Sequence, residues 1–127
     1  ITQGPKVEEF ENAICKLTGS NFSVAVSSGT AALHSAMFAL GIKNGDEVIL
    51  PAITFSATAN CIVFQGGTPV FADVNQYDLL IDLESVVQKI TKRTKAIIAV
   101  DYAGHPADYK QLNETDIKGR IYDFGYL

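Results

Sequence analysis

The sequence predicts an α/β fold in which a mostly parallel sheet is covered by helices on both faces. Short β-branched, apolar segments alternate along the chain with segments of helical periodicity. The strand segments carry little internal polarity, which is typical of strands buried on both sides. Apolar residues make up 47% and charged residues 19% of the 127 residues, a balance typical of globular proteins. We expect one domain with a substantial core.

The first expected elements are a helix, a strand and a second helix. Apolar residues recur with helical spacing over Lys6–Thr18, and Gly19 can end that helix. Phe22–Val26 predicts a strand because aromatic and β-branched residues prevail there. Thr30–Leu40 predicts a helix that Gly41 stops.

The rest of the chain continues this alternation. Glu47–Leu50 predicts a short apolar strand closed by Pro51, and Ser56–Gln65 predicts a helix that runs into a pair of glycines. The remaining expected elements, in chain order, are the strand Thr68–Ala72, the helix Leu83–Ile90 with Asp82 as its cap, the strand Ala96–Val100, a short helix around Ala107–Leu112 and a strand around Arg120–Tyr122.

Composition excludes several classes of function. The net charge of −4 argues against a general binder of nucleic acids or anionic membranes. No apolar run approaches the length of a membrane span, and we expect no secretory signal. Cys15 and Cys61 lie in helical patterns without zinc or redox spacing, so we expect two buried thiols, no metal site and a cytoplasmic location.

The run Val24–Leu33 passes from an apolar strand pattern through Ser-Ser-Gly-Thr into an Ala-rich helix. The first N–H groups of a helix have no intrahelical partner, and the helix dipole adds partial positive charge there. Ser28 and Thr30 can add hydroxyl groups, and Gly29 allows an anion to approach the backbone closely. This pattern is typical of a phosphate site. The alternative is an ordinary N-cap, which is the commoner use of such residues taken alone.

Ligands of parallel sheets collect beyond the carboxyl ends of the strands. The segments Pro51–Phe55, Asp101–His105 and Asp123–Tyr126 follow three of the predicted strands. They supply an aromatic ring, carboxylates and an imidazole, which are residue types of a cofactor pocket. Taken singly, each is more often structural: Phe55 as a core or lid aromatic, the Asp and His of the second segment as turn residues, and Asp123 as a loop cap.

In their order along the chain, these segments resemble the DegT/DnrJ/StrS family of pyridoxal-phosphate-dependent sugar aminotransferases. The similar segments extend in one collinear order to about Leu112: Thr2–Glu11, Val26–Leu33, Gly45–Asn60, Gly67–Asp73, Ile81–Glu84 and Thr91–Asp108. The resemblance implies part of the large domain of a fold-type I aminotransferase. The Val-Asp-Tyr-Ala-Gly segment and the Thr-Gln-Gly opening are most similar to the branch that acts on UDP-linked 4-keto-6-deoxy amino sugars, as in pseudaminic-acid synthesis.

The resemblance also implies how the cofactor pyridoxal phosphate would be held. The family's phosphate-binding residues correspond to Ser28, Gly29, Thr30 and Ala31. The aromatic residue that stacks on the pyridine ring corresponds to Phe55. The aspartate that pairs with the pyridinium nitrogen corresponds to Asp123, whose carboxylate would keep that nitrogen protonated.

The chain departs from the family pattern in its last segment and in its lysines. Phe124 and Gly125 stand where the family has two small residues, and Tyr126 stands where it has His or Gln. The family's Schiff-base lysine lies in a later Ser-Phe-His-Xaa-Xaa-Lys segment. The lysines of this chain match family positions without that role: Lys6, Lys16, Lys43, Lys89, Lys92, Lys95, Lys110 and Lys118. We therefore expect residues 1–127 to be an incomplete large domain without catalytic residues, with 113–127 as a divergent tail.

These observations leave three functional interpretations. The chain is part of a sugar aminotransferase that moves an amino group from an amino acid, such as glutamate, to a nucleotide-linked keto sugar, and is inactive alone. Alternatively, it is a non-catalytic module that binds pyridoxal phosphate or another phosphate, or an oligomerisation domain in which Ser28 is only a cap. Because family members are typically dimers, we expect a homo-oligomer.

Overall fold

The computed structural model describes residues 4–115 and 121–123. The chain divides into two compact units, Ile1–Ala32 and Leu33–Leu127. No helix in the described part of the chain has both the length and the apolar character needed to cross a membrane.

The first unit contains helix α1, Pro5–Thr18. Proline opens the helix, where its missing N–H costs nothing, and the left-handed Gly19 ends it by donating its N–H to Cys15 O at 2.9 Å. The predicted first helix is therefore confirmed. The expected burial of Cys15 is wrong, because α1 has no buried residues and this thiol is only half-buried.

The predicted strand Phe22–Val26 is wrong. These residues form no strand, and no described strand pairs with them. Phe22 and Val24 are exposed, and Ala25 N donates instead to the carboxylate of Glu11 at 2.8 Å. Strand propensity reflects how well a side chain fits a half-buried pleated surface. Without such a surface, the aromatic and β-branched residues of this segment do not produce a strand.

The second unit contains a sheet whose described strands are all parallel, in the order β2-β1-β3-β4. Because side chains alternate across a strand, Val48 and Leu50 lie in one core cluster and Ile49 lies in the other. Near-continuous apolar strands are typical of such doubly covered sheets. The strands are β1 Glu47–Pro51, β2 Thr68–Ala72, β3 Thr94–Ala99 and β4 Ile121–Asp123.

Helices cover both faces of the sheet, as predicted. Residues of α2 and α3 pack in the cluster of Val48, and residues of α4 and α5 pack in the cluster of Ile49. Cys61 on α3 is buried, as expected. The helices are α2 Gly29–Ala39, α3 Ser56–Phe64, α4 Leu83–Lys89 and α5 Tyr109–Asn113.

The predicted boundaries differ from the observed ones by a residue or two, for identifiable reasons. Strand β3 ends before Val100 because the chain turns there, with Tyr102 N donating to Val100 O at 2.9 Å. Helix α5 begins later than predicted because Asp108 is its cap and accepts from Gln111 N at 2.9 Å. Asp82 caps α4 as predicted.

Candidate functional site

Ser28 caps helix α2. Ala31 N donates to Ser28 Oγ at 3.2 Å, and Ala32 N donates to Ser28 O at 3.0 Å. The N-cap interpretation is therefore confirmed for the Ser28 side chain. It does not exclude a ligand, because a hydroxyl oxygen that accepts one hydrogen bond can still donate its own proton.

The rest of this helix start fits an anion. The N–H groups of Gly29 and Thr30 lie in the first turn, where a helix offers them no internal acceptor. Both residues are exposed, and a Cβ built on Gly29 would meet no atom within 4 Å. A phosphate oxygen can therefore reach the bare backbone. The helix dipole favours negative charge at the same place.

The remaining predicted site residues belong to the second unit and share one edge of its sheet. Strands β1, β3 and β4 are parallel, so their carboxyl ends lie at the same edge. Ala99 pairs with Asp123, and Ile97 pairs with Ile49. Phe55, which follows β1, and Asp101, which follows β3, come just beyond these paired ends. The topology thus brings Phe55, Asp101 and Asp123 to one edge.

Phe55 is not a core aromatic. It precedes α3 with extended backbone, and the residue remains 55% exposed. The ring therefore presents apolar surface to water at this edge of the sheet, and a planar ligand stacked on it would cover that surface. The core interpretation of Phe55 is therefore wrong, and the stacking interpretation is compatible with its position.

Asp101 organises the loop that follows β3. Its Oδ1 accepts from Ala107 N at 2.9 Å and from the hydroxyl of Tyr109 at 2.7 Å. The turn interpretation of Asp101 is therefore confirmed, and His105 is exposed within the same loop. Sequence reasoning missed the contribution of Tyr109. An aspartate followed by Gly and Pro indicates a turn, but no local pattern indicates which distant hydroxyl group will close it.

Asp123 is the last residue of β4, next to Ala99 of β3. This backbone position is where the sequence placed the partner of the pyridinium nitrogen. Phe124, Gly125 and Tyr126, at which the chain departs from the family pattern, lie outside the described residues.

A charged cluster lies at the opposite, amino edge of the sheet. Glu47 is buried and accepts from Thr91 Oγ1 at 2.5 Å, from Arg93 Nε at 2.9 Å and from Arg93 Nη2. The Thr91 hydroxyl and then the Arg93 guanidinium lower the pKa of Glu47. Because this cluster ties β1 to the start of β3 far from the carboxyl ends, its role is structural.

Cys61 is not a candidate for a reactive residue of a functional site. Its thiol is buried and donates to Thr58 O at 3.2 Å, and burial raises its pKa to about 11. A thiol in this environment stays protonated and unreactive. Within the described ranges, no three His, Cys, Asp or Glu side chains are grouped so that they could hold a metal ion.

Several solved structures are similar to this chain. A sugar aminotransferase from Streptococcus pneumoniae, Spr1654, in its pyridoxal phosphate form, is 39% identical with a TM-score of 0.84, and the match covers 88% of this chain and 29% of that chain. DesV of S. venezuelae is 35% identical with a TM-score of 0.88, over 96% of this chain and 33% of that chain. A GDP-4-keto-6-deoxymannose-3-dehydratase with PLP and glutamate is 33% identical with a TM-score of 0.88, over 97% and 34% of the two chains.

The chain thus spans about a third of the length of these relatives. The Spr1654 structure is a pyridoxal phosphate form, and the dehydratase structure holds a PLP-glutamate geminal diamine. The family model for DegT/DnrJ/EryC1/StrS aminotransferases matches residues 1–121. This chain therefore belongs to the DegT/DnrJ/EryC1/StrS aminotransferase family.

Proposed function

We propose that this chain is the cofactor-binding part of a sugar aminotransferase that moves an amino group from an amino acid, such as glutamate, to a nucleotide-linked keto sugar. The main support for this proposal is that Phe55 and Asp123 lie at the same edge of the sheet in a chain of this family. The similarity of the Val-Asp-Tyr-Ala-Gly segment to enzymes acting on UDP-linked 4-keto-6-deoxy amino sugars supports a substrate of that class. We place this reaction in the cytoplasm.

The residues of this chain bind and orient the cofactor in this proposal. The N–H groups of Gly29 and Thr30, with the hydroxyls of Ser28 and Thr30, donate to the phosphate. The exposed ring of Phe55 stacks on the pyridine ring and excludes water from that face. The carboxylate of Asp123 holds a proton on the ring nitrogen. Pyridoxal phosphate, when bound, supplies the electron sink that amino transfer requires.

Catalysis needs a further group. Amino transfer by this cofactor uses a lysine amine to move a proton, and the family places it in a segment that this sequence does not contain. We therefore propose that the chain by itself binds the cofactor without transferring amino groups. Borohydride reduction in the presence of pyridoxal phosphate should then leave no stoichiometric adduct on any single lysine. A stoichiometric adduct at one lysine would show that the chain does carry the missing amine.

A cofactor titration with matched controls tests the binding site. Phe55→Leu should weaken pyridoxal phosphate binding about three- to tenfold, since an aromatic contact contributes about 0.5–1.5 kcal/mol beyond area burial. Thr30→Ala should weaken binding by about tenfold or more, since a hydrogen bond to a charged group contributes about 1.5–3 kcal/mol. Phe38→Leu makes the same change as Phe55→Leu, and Ser35→Ala likewise removes a hydroxyl group; both positions are exposed on α2, and both variants should leave binding unchanged.

The outcome distinguishes the remaining interpretations. If the chain binds neither pyridoxal phosphate nor inorganic phosphate, the Ser28 turn is only a cap and the cofactor-binding proposal fails. If Phe55→Leu and Phe38→Leu bind pyridoxal phosphate with the same affinity, the pyridine ring does not stack on Phe55.

We also propose that the chain forms a homo-oligomer. Large apolar side chains of the first unit remain in contact with water, including Leu17 at 82% and Phe22 at 88% exposure. Burial of such residues against a second copy would remove apolar area from water. Sedimentation equilibrium over a range of chain concentrations tests this. A single monomeric species at all concentrations would contradict it.

A further inference from the structure

The loop between β3 and α5 is closed by one side chain. Asp101 lies directly beyond β3, and its Oδ1 accepts from the backbone of Ala107 at 2.9 Å and from the hydroxyl of Tyr109 at 2.7 Å. The carboxylate therefore joins the beginning of the loop to its end. Because Asp101 is half-buried, water competes only partly for these hydrogen bonds.

The backbone between these closing contacts is tightly turned. Gly104 N donates to Asp101 O at 3.1 Å, and His105 N donates to Tyr102 O at 3.0 Å. Ala103 has φ 53° and ψ 28°, a left-handed conformation that an alanine adopts at an energetic cost. Such a conformation persists when the surrounding structure enforces it. The Asp101 contacts at the two ends of the loop provide that enforcement.

The register of the sheet places this loop beside the proposed ring site. Asp123 on β4 pairs with Ala99 on β3, and Asp101 follows Ala99 by two residues. The loop thus emerges at the carboxyl edge next to the strand that carries Asp123. Within the loop, Tyr102 and His105 are exposed and supply a phenol and an imidazole. Both groups donate and accept hydrogen bonds, as a hydroxyl-rich or phosphorylated ligand requires.

We propose that Asp101 is a positioning residue for ligand binding: its carboxylate closes the loop 102–106 and holds Tyr102 and His105 at the sheet edge of Phe55 and Asp123, as part of the ligand-binding surface. The ligand is pyridoxal phosphate, the cofactor of the proposed function, and this inference rests on that proposed function. Asp101 acts through the loop and does not itself contact the ligand. An acceptor oxygen in the same place should therefore replace it.

Substitutions at Asp101 separate positioning from a charge effect. Asp101→Ala removes the acceptor, whereas Asp101→Asn keeps a carbonyl oxygen that can accept from both donors and removes only the charge. Tyr109→Phe is a milder change that removes one of the two contacts and keeps the ring. Asp108→Asn is the matched control, because asparagine caps a helix as well as aspartate does.

Hydrogen exchange of the Ala107 amide measures loop closure without any ligand. We expect protection in the wild type, in Asp101→Asn and in Asp108→Asn, partial loss in Tyr109→Phe, and loss in Asp101→Ala. Pyridoxal phosphate affinity should follow the same order, falling about tenfold in Asp101→Ala, as expected when a preorganised surface must be ordered on binding. Unaltered exchange in Asp101→Ala would overturn the proposal.

The affinity measurements distinguish this inference from the proposed function. If Phe55→Leu weakens pyridoxal phosphate binding while Asp101→Ala and Tyr109→Phe do not, the loop is not part of the ligand surface, and this inference alone fails. If Asp101→Asn binds as weakly as Asp101→Ala with the Ala107 amide still protected, the charge acts directly and the positioning role is refuted. A wild-type chain that binds no pyridoxal phosphate refutes the proposed function and the ligand role of the loop together.

Discussion

Removal of the Glu47 carboxylate should destabilise the fold without affecting the candidate site. The side chain of Glu47 is 8% exposed, and it accepts hydrogen bonds from Thr91 and Arg93 across the amino edge of the sheet. A hydrogen bond to a charged group contributes about 1.5–3 kcal/mol. The side chain of Arg93 is 67% exposed, so its charge remains hydrated when the partner is lost. We therefore expect Glu47→Ala to cost about 2–3 kcal/mol, below the 3–5 kcal/mol typical of a broken, fully buried pair.

The dependence of this stabilisation on pH follows from the pKa of Glu47. The hydroxyl of Thr91 and the guanidinium of Arg93 lower this pKa below its ordinary value. A lowered pKa in the folded state means that the native chain releases this proton more readily than the unfolded chain. The stabilisation is therefore complete above about pH 5, given an unfolded-state pKa of about 4.3, and is lost as pH falls through the lowered value.

Urea unfolding of the wild type and Glu47→Gln across this pH range is the assay. Glutamine keeps the size of the side chain and one acceptor oxygen but cannot ionise. The difference in unfolding free energy should be largest near neutral pH and shrink as pH falls below the unfolded-state pKa and through the lower folded-state pKa. A difference that stays constant with pH would refute the assignment of this stabilisation to the ionised carboxylate. Cofactor affinity should be equal in the two proteins at neutral pH.

Two further predictions concern Cys61 and Gly67 of the second unit. At about pH 8 the Cys61 thiol should react with iodoacetamide at least about tenfold more slowly than the half-buried Cys15, because burial raises the pKa of Cys61 to about 11 and blocks access. Equal reaction rates of the two thiols in the native chain would contradict this. The control is the chain unfolded in urea, in which the two thiols should react at equal rates. Gly67→Ala should lower the unfolding free energy by about 1–3 kcal/mol, because the new Cβ would lie 2.6 Å from Cγ2 of the buried Ile42. Gly29→Ala, where a Cβ meets nothing within 4 Å, is its control, and equal stability of the two variants would contradict the packing argument.

Elements whose local pattern agrees with their environment could be predicted from the sequence. The strand Thr68–Ala72 has the predicted bounds, and Asp82 caps α4 as expected. The segment Phe22–Val26 has strand propensity but does not form a strand, because propensity cannot supply a neighbouring strand.

In the candidate site, too, some features could be predicted from the sequence and others could not. The start of α2 and the position of Asp123 follow from local patterns and strand order. The contact of Tyr109 with Asp101 and that of Arg93 with Glu47 depend on how separate parts of the chain come together. No spacing in the sequence specifies them, because hydrogen-bonding side chains of these types occur throughout loops and strand ends.

A crystal structure of this chain grown with pyridoxal phosphate tests the central claim most directly. We predict phosphate oxygens within hydrogen-bonding distance of the Gly29 and Thr30 N–H groups, the pyridine ring against Phe55, and its nitrogen at the carboxylate of Asp123. Ligand density elsewhere on the chain, or an α2 start whose N–H groups are all bound by the chain itself at saturating ligand, would contradict the assignment of this chain as a cofactor-binding domain.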